Sequence, residues 1–127
     1  MSDFGQRDAL LSERILACMR DGVVGIDLSG RIITFNAAAG RILGKDPAEV
    51  VGRSFAEEFL AEESFDDFNE VVFKAVYDAE VTHSVDIALA LDGRRVDLLV
   101  SSSFLTLHGE AGEEQRFGVV VVVSDTT

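Results

Sequence analysis

Residues 23–44, VVGIDLSGRIITFNAAAGRILG, decide the fold. Two apolar, β-branched runs flank the tetrapeptide DLSG at 27–30, whose glycine can adopt a positive φ without strain in a tight turn. The second run ends at Asn36, a favourable helix N-cap, and the alanine-rich segment after it predicts a short helix that stops near Gly44. Residues 46–49, DPAE, then start another helix. The pattern predicts a β-hairpin followed by two short capped helices.

Length, charge and cysteine content restrict the class of protein. The chain has 127 residues, of which 47% are hydrophobic, as expected for one globular domain. Its net charge of -12 argues against nucleic acid and anionic membrane surfaces as partners, since both are polyanions. A single cysteine, Cys18, fits a reducing compartment. With a polar start and no long apolar run, the sequence predicts a cytoplasmic chain without direct membrane contact, or the soluble part of a membrane receptor.

The N-terminal segment has the pattern of an amphipathic helix. Leu11, Ile15 and Cys18 recur at i, i+4 and i+7. We therefore predict a flanking amphipathic helix within residues 1–20 and a domain over residues 21–127. The apolar stripe must be covered by the sheet or by a second copy of itself, and we predict a homodimer with these three residues at the interface.

The rest of the chain predicts helices followed by strands. A long helix is predicted over 64–78, with Phe65, Phe68, Val72, Ala75 and Val76 on one face. Beyond it, alternation of apolar and polar residues and the Asp92-Gly93 turn predict strands over 82–91, 94–107 and 116–124. The unbroken valines of the last strand are typical of a central strand. The fold class is α+β: a five-stranded antiparallel sheet with short helices on one face and the flanking helix at the N-terminus.

Three places in the chain resemble the PAS family: residues 23–52, the hairpin Asp92-Gly93-Arg94-Arg95, and the ending Ser124-Asp125-Thr126-Thr127. The resemblance extends from about Leu16 to the last residue. It implies the PAS fold and a sensor and dimerisation module that precedes a C-terminal effector domain in the same polypeptide. Such effectors include histidine kinases of two-component systems, nucleotide cyclases, diguanylate cyclases and transcription factors.

The resemblance also implies a route for signal coupling. In many PAS proteins a terminal Asp-hydrophobic-Thr triplet closes the sheet, and its Asp pairs with a basic residue of the preceding hairpin. By this resemblance Asp125 would pair with Arg94 or Arg95, and Thr127 would cap an outgoing helix. The middle position is Thr126, a departure from the family pattern. The alternative is an ordinary surface aspartate, whose ion pair contributes only ~0–1 kcal/mol.

PAS domains hold a small molecule, or nothing, between the sheet and the helices. The resemblance implies that inward side chains would line such a ligand site: Ile26, Ile33, Phe35, Phe68, Val72, Val85, Ile87, Val100, Phe104 and Val121. Non-covalent flavin, a lipid such as a fatty acid, or another apolar metabolite remain open as ligands. The alternative is that these side chains fill one another's space, as those of a protein core do.

The cofactor is unknown, but two kinds are disfavoured by this sequence. Flavin photosensors of the LOV type, and the yellow proteins, need a cysteine after the first strands, whereas Cys18 precedes them. The haem-binding branch carries its histidine on the long helix, and residues 64–79 contain none. The two histidines, His83 and His108, have no cysteine or carboxylate at metal-ligand spacing, so no metal site is predicted.

The sequence carries no recognisable catalytic motif. It lacks a nucleophile elbow, a P-loop, a His-Glu-x-x-His motif and a dinucleotide-binding glycine pattern. The only catalytic candidates are carboxylates of the acidic stretch 57–70, such as Glu62 and Asp66, which fit a solvated face or a docking surface for a basic partner better. We predict a non-enzymatic module for signal relay and dimerisation, with a small-molecule sensor in the strict sense as the alternative.

Overall fold

The computed structural model describes residues 20–82, 84–91 and 93–126, and the predicted flanking helix lies outside them. The described part of the chain opens with two strands and three short helices. These are β1 (Gly22–Asp27), β2 (Ile32–Phe35), α1 (Ala37–Leu43), α2 (Pro47–Val50) and α3 (Phe55–Phe59). A 3₁₀ turn and a long helix follow, and then three strands. These are the turn Glu63–Phe65, α4 (Asp66–Tyr77), β3 (Val85–Leu91), β4 (Arg94–His108) and β5 (Glu114–Asp125).

The five strands form one antiparallel sheet in the order β2-β1-β5-β4-β3. The last strand of the chain is therefore central, as its valines predicted. Val121 pairs with Val24 on one side and with Ser102 on the other. The inner face of β5 is fully buried at Val121, whereas Val122, on the outer face, is only half-buried. The helices lie against the inner face, which confirms the predicted α+β class.

One predicted inward residue, Ile33, points the other way. The register between β1 and β2 shifts between Gly25 and Ile26, so that Ile33 is an extra residue on β2. Such a bulge breaks the strict alternation of faces. As a result Ile32 and Phe35 are both buried, at 0% and 6% exposure, while Ile33 is 38% exposed. The prediction that Ile33 lines the interior is wrong because it assumed uninterrupted alternation.

The helix signals in the opening stretch are confirmed. The Asn36 side chain accepts a hydrogen bond from the backbone amide of Ala39 at 2.9 Å, which caps α1. Gly44 ends that helix in the left-handed conformation, with φ of 70°. Asp46 caps α2 by accepting from the amide of Ala48 at 3.0 Å.

A cluster of aromatic rings joins the helices to the sheet. Phe55 and Phe59 of α3 stack with ring centroids 4.5 Å apart, and Phe59 meets Phe65 edge-on at 5.1 Å. Phe68 of α4 lies 5.8 Å from Phe59, and Phe35 of β2 lies 6.4 Å from it. We call these five residues the phenylalanine cluster. Each aromatic pair stabilises the fold by about 0.5–1.5 kcal/mol beyond the burial of its surface. Since Phe59 contacts all four other rings, it is the centre of the cluster.

Candidate functional site

The side chains predicted to line a ligand site lie on the inner face of the sheet and on α4, with the exception of Ile33. Seven of them are buried: Ile26, Phe35, Phe68, Val72, Ile87, Val100 and Val121. Val85 and Phe104 are half-buried and pack against the same core. Apart from Ile33, the residues that the sequence predicted to point inward are therefore buried or half-buried in the core.

Asn69 is a buried polar residue that the sequence analysis missed. It lies on α4 at 3% exposure, and its Nδ2 donates a hydrogen bond to the backbone oxygen of Phe59 at 3.2 Å. Its Oδ1 is buried and has no hydrogen-bond partner among the described residues. Leaving a buried acceptor unpaired costs about 1–3 kcal/mol. The signal in the sequence was a short amide side chain directly after Phe68 on the apolar face of the helix.

A second buried polar group, Ser102, is already engaged by the backbone. Its Oγ accepts from the amide of Thr82 at 2.8 Å, and its own amide donates to the carbonyl of Thr82 at 2.8 Å. Ser102 is 4% exposed, and its neighbours Ser101 and Ser103 are less buried. Only one hydroxyl of the serine triplet is therefore buried, and it ties the segment before β3 to β4.

Two cationic side chains lie over aromatic rings. The guanidinium of Arg116 lies 4.5 Å from the ring centroid of Phe104. Lys45, in the loop after α1, places its Nζ 5.2 Å from the ring of Phe59 and 5.6 Å from that of Phe65. Cation–π contacts of this kind are favourable by about 0.5–2 kcal/mol, depending on desolvation. Sequence reasoning did not find either contact.

The acidic stretch is solvated, as the sequence predicted. Glu62 and Asp66 are both exposed. Glu62 forms an ion pair with Lys45, with 3.2 Å between Oε1 and Nζ, and this contact holds the segment before the 3₁₀ turn against the loop after α1. Within the described part of the chain, no group of three His, Cys, Asp or Glu side chains could hold a metal ion.

Asp125, one of the predicted coupling residues, lies at the end of β5 beside β4. Asp125 pairs with Leu98 across the two strands. The amide and hydroxyl of Thr126 both donate to the carbonyl oxygen of Asp97, at 2.9 and 3.2 Å. The residue after β5 is thus fastened to the neighbouring strand.

One basic residue of the hairpin makes an ion pair within its own strand. Arg95 pairs with Asp97 at 2.9 Å. The reason is geometric, because residues two apart in a strand share a face. Arg94 lies exposed at the start of β4, and Thr127 lies outside the described residues. Leu11, Ile15 and Cys18, predicted at a dimer interface, also lie outside them.

In the described part of the chain, none of the predicted ligand-binding residues lines any of three cavities that open at the surface. These cavities lie beside the β3–β4 hairpin, beside the turn between β1 and β2, and on the outer part of β3. Among the described residues, no helix is long and apolar enough to cross a bilayer.

The sequence of this chain matches the family model of the PAS fold over residues 10–126. The chain belongs to the PAS family. Members of this family are sensory modules rather than catalysts. The antiparallel sheet with helices on one face is the fold that the resemblance implied.

Several proteins are similar to this chain in sequence or structure. The chain is 36% identical over 50 residues to the photoactive yellow protein of Halochromatium salexigens, covering 39% of this chain and 40% of that relative. The PAS domain of BvgS from Bordetella pertussis superposes with a TM-score of 0.67 at 19% identity, covering 97% of this chain and 89% of that one. The photoactive yellow protein domain of the sensor histidine kinase Ppr from Rhodospirillum centenum superposes with a TM-score of 0.62 at 17% identity. The superposition covers 87% of this chain and 90% of that one.

Proposed function

We propose that this PAS domain is a regulatory module that relays signals and dimerises within a larger signal-transduction protein, such as a histidine kinase or a nucleotide cyclase. The observation that carries the proposal is the fastening of Thr126 to the Asp97 carbonyl directly after the central strand β5. A change in the sheet would be passed to whatever follows β5 through Arg94, Arg95, Asp125 and Thr127. A similar domain comes from a sensor histidine kinase, which supports this kind of parent protein.

Dimerisation is proposed to use the N-terminal segment, with Leu11, Ile15 and Cys18 at the contact. Their spacing of i, i+4 and i+7 supports one apolar stripe on a helix. Such a stripe has a lower free energy when it is buried against a second copy than when it faces water. The net charge of -12 supports protein partners rather than nucleic acid or a membrane surface, and a cytoplasmic location is part of the proposal.

The dimer proposal is tested by light scattering coupled to size-exclusion chromatography. Leu11→Glu places a charge in the apolar stripe, and Ser12→Glu is the matched control on the neighbouring position of the same segment. We expect the unmodified chain and Ser12→Glu to be dimeric and Leu11→Glu to be monomeric. A Leu11→Glu protein that stays dimeric would show that this segment is not the contact.

A second candidate function is a small-molecule sensor with an occupied apolar pocket. The observation that favours it is the buried Oδ1 of Asn69, which has no hydrogen-bond partner in the part of the chain that the structure describes and which a ligand's donor would satisfy. Flavin, a lipid or a metabolite would bind without a covalent bond, since the single cysteine, Cys18, precedes β1. A bound ligand raises thermal stability by mass action, so flavin mononucleotide and palmitate are suitable first probes. A melting temperature that neither flavin mononucleotide nor palmitate raises would count against these two ligand classes.

A further inference from the structure

A surface cleft lies where three parts of the fold meet: the C-terminal end of α1, the segment before α4, and the β3–β4 hairpin. Its volume is about 310 Å³, and its lining includes Arg41, Lys45, Glu62, Ser64, Leu91 and Arg94. We call it the hairpin cleft. Since none of the predicted ligand-binding residues lines it, it is a different site from the interior of the PAS fold.

The charge of the hairpin cleft is opposite in sign to that of the chain. Among the described residues that line it, three are cations, Arg41, Lys45 and Arg94, and one is a carboxylate, Glu62, in a protein whose net charge is -12. Like charges gathered around one cavity repel each other unless a counter-charge occupies it. A local excess of positive charge therefore favours an anion at this position.

Among the described residues, no ion pair neutralises Arg41 or Arg94. The four ion pairs among the described residues engage Lys45, Arg53, Lys74 and Arg95, and none of them includes Arg41 or Arg94. Both side chains belong to exposed residues on different elements that face the same cavity. A guanidinium presents a planar fork of donors that matches a carboxylate or a phosphate in two-point contacts.

Lys45 supplies a fixed third cation. Its side chain is 16% exposed, and its Nζ lies over Phe59 and Phe65 while donating to the carbonyl of Glu58 at 2.9 Å and to Glu62 at 3.2 Å. An ammonium has three donors, so these two bonds leave one for a ligand. Because the position of the ammonium is already fixed, binding an anion costs little side-chain entropy.

We propose that the hairpin cleft binds a small organic anion with two negative charges, a dicarboxylate or a phosphate monoester. Arg41 and Arg94 would each contact an oxyanion group, and Lys45 would donate its third hydrogen bond between them. Ser64 offers a hydroxyl at the same cavity, and Leu91 gives an apolar wall for a short carbon chain. The volume of the cleft fits a metabolite of this kind.

The test is a titration of the 127-residue chain by amide NMR with succinate and with inorganic phosphate, each against sodium chloride at equal ionic strength. We expect saturable shifts confined to residues 41–45, 62–64 and 90–94, with a Kd of about 1 mM or tighter for at least one of the two. Preference for succinate identifies a dicarboxylate site, and preference for phosphate identifies a phosphate ester site. Shifts that do not saturate, or that sodium chloride reproduces, would overturn the proposal.

Two double variants with equal charge change separate this site from general electrostatics. Arg41→Gln/Arg94→Gln removes the two unpaired cations of the cleft, and Arg31→Gln/Arg53→Gln removes two exposed arginines near the turn between β1 and β2. We expect the first to weaken binding about tenfold or more and the second to leave it nearly unchanged. Equal losses in the two variants would show a diffuse charge effect and would also overturn the proposal. Because all four side chains belong to exposed residues, both proteins should fold.

Discussion

The side-chain oxygen of Asn36 accepts a hydrogen bond from the backbone amide of Val23, at 2.9 Å. The same oxygen caps α1 through Ala39, and the side-chain amide donates to the carbonyl of Asp21 at 3.0 Å. Asn36 is 7% exposed, so these bonds are shielded from water. One amide side chain thus links the start of β1, the end of β2 and the first helix.

We predict that Asn36→Ala lowers the free energy of unfolding by about 2–4 kcal/mol. It removes a helix cap, which contributes about 1 kcal/mol, and it leaves the buried amide of Val23 unpaired, which costs about 1–3 kcal/mol. Urea denaturation measures the change. Asn36→Asp keeps the acceptor oxygen and should cost less than Asn36→Ala. Equal losses in the two variants would mean that the acceptor is not what stabilises this junction.

We predict that Phe59→Ala lowers the free energy of unfolding by about 3–5 kcal/mol. The ring is fully buried and contacts four other rings and the ammonium of Lys45, so its removal leaves a cavity. The matched control is Leu60→Ala at the next residue, which is 54% exposed and should cost less than about 0.5 kcal/mol. Similar losses for the two variants in urea denaturation would contradict the central place of Phe59 in the core.

The buried position of Asn69 gives a pH-dependent prediction. Asn69→Asp buries a carboxyl group, and burial raises the pKa of such a group above its value in the unfolded chain. The folded state of Asn69→Asp therefore keeps this proton to a higher pH than the unfolded chain does. As the pH rises from about 4 through the raised pKa, the free energy of unfolding of Asn69→Asp falls relative to that of Asn69→Leu. We expect a deficit of about 3 kcal/mol at neutral pH.

Denaturation of both Asn69 variants over a range of pH provides the check. Asn69→Leu carries no titratable group at this position, so it controls for the pH dependence of the rest of the chain. A constant difference between Asn69→Asp and Asn69→Leu across pH would mean that water reaches the side chain and that the site is not buried.

Asp27 stabilises the turn between β1 and β2 as a carboxylate. Its Oδ1 accepts from the hydroxyl of Ser29 at 2.6 Å and from the amides of Ser29 and Arg31 at 3.0 and 2.9 Å. The Ser29 hydroxyl, followed by the Arg31 amide, holds the pKa of this carboxyl below its ordinary value. Asp27 therefore contributes stability above its unfolded-state pKa of about 3.9, and that contribution is lost as the pH falls through the lower folded-state pKa.

Asp27→Asn tests this assignment, because the amide oxygen can still accept hydrogen bonds but carries no charge. We expect the unmodified chain to be more stable than Asp27→Asn by a constant amount above about pH 5, and the difference to shrink below it. Denaturation midpoints measured over a series of pH values show the trend. A difference that grows on acidification would contradict the lowered pKa.

The sequence predicted most of the fold because its local signals agree with one another. The cap at Asn36, the left-handed glycine at Gly44 and the alternation in β3 and β4 are all read from short windows, and all are present in the structure. Ile33 was misplaced because a bulge depends on the pairing of two strands, which a single strand's alternation does not reveal.

The polar contacts were harder to predict because they join residues that are distant in sequence. Lys45 meets Phe59, Phe65 and Glu62 only when the loop after α1 folds over the segment before α4. The amide of Asn69 was hidden by its place on an otherwise apolar helix face. In both cases the residue types were visible in the sequence, but their partners were set by tertiary packing.

The measurement that tests the proposed function most directly is a native mass spectrum of the purified 127-residue chain. A regulatory PAS module that relays signals through a dimer predicts a species of twice the chain's mass with no added mass. A dimer with extra mass would favour the ligand-sensing alternative and would give the mass of the ligand. A monomer at every concentration would contradict the proposal that this domain dimerises.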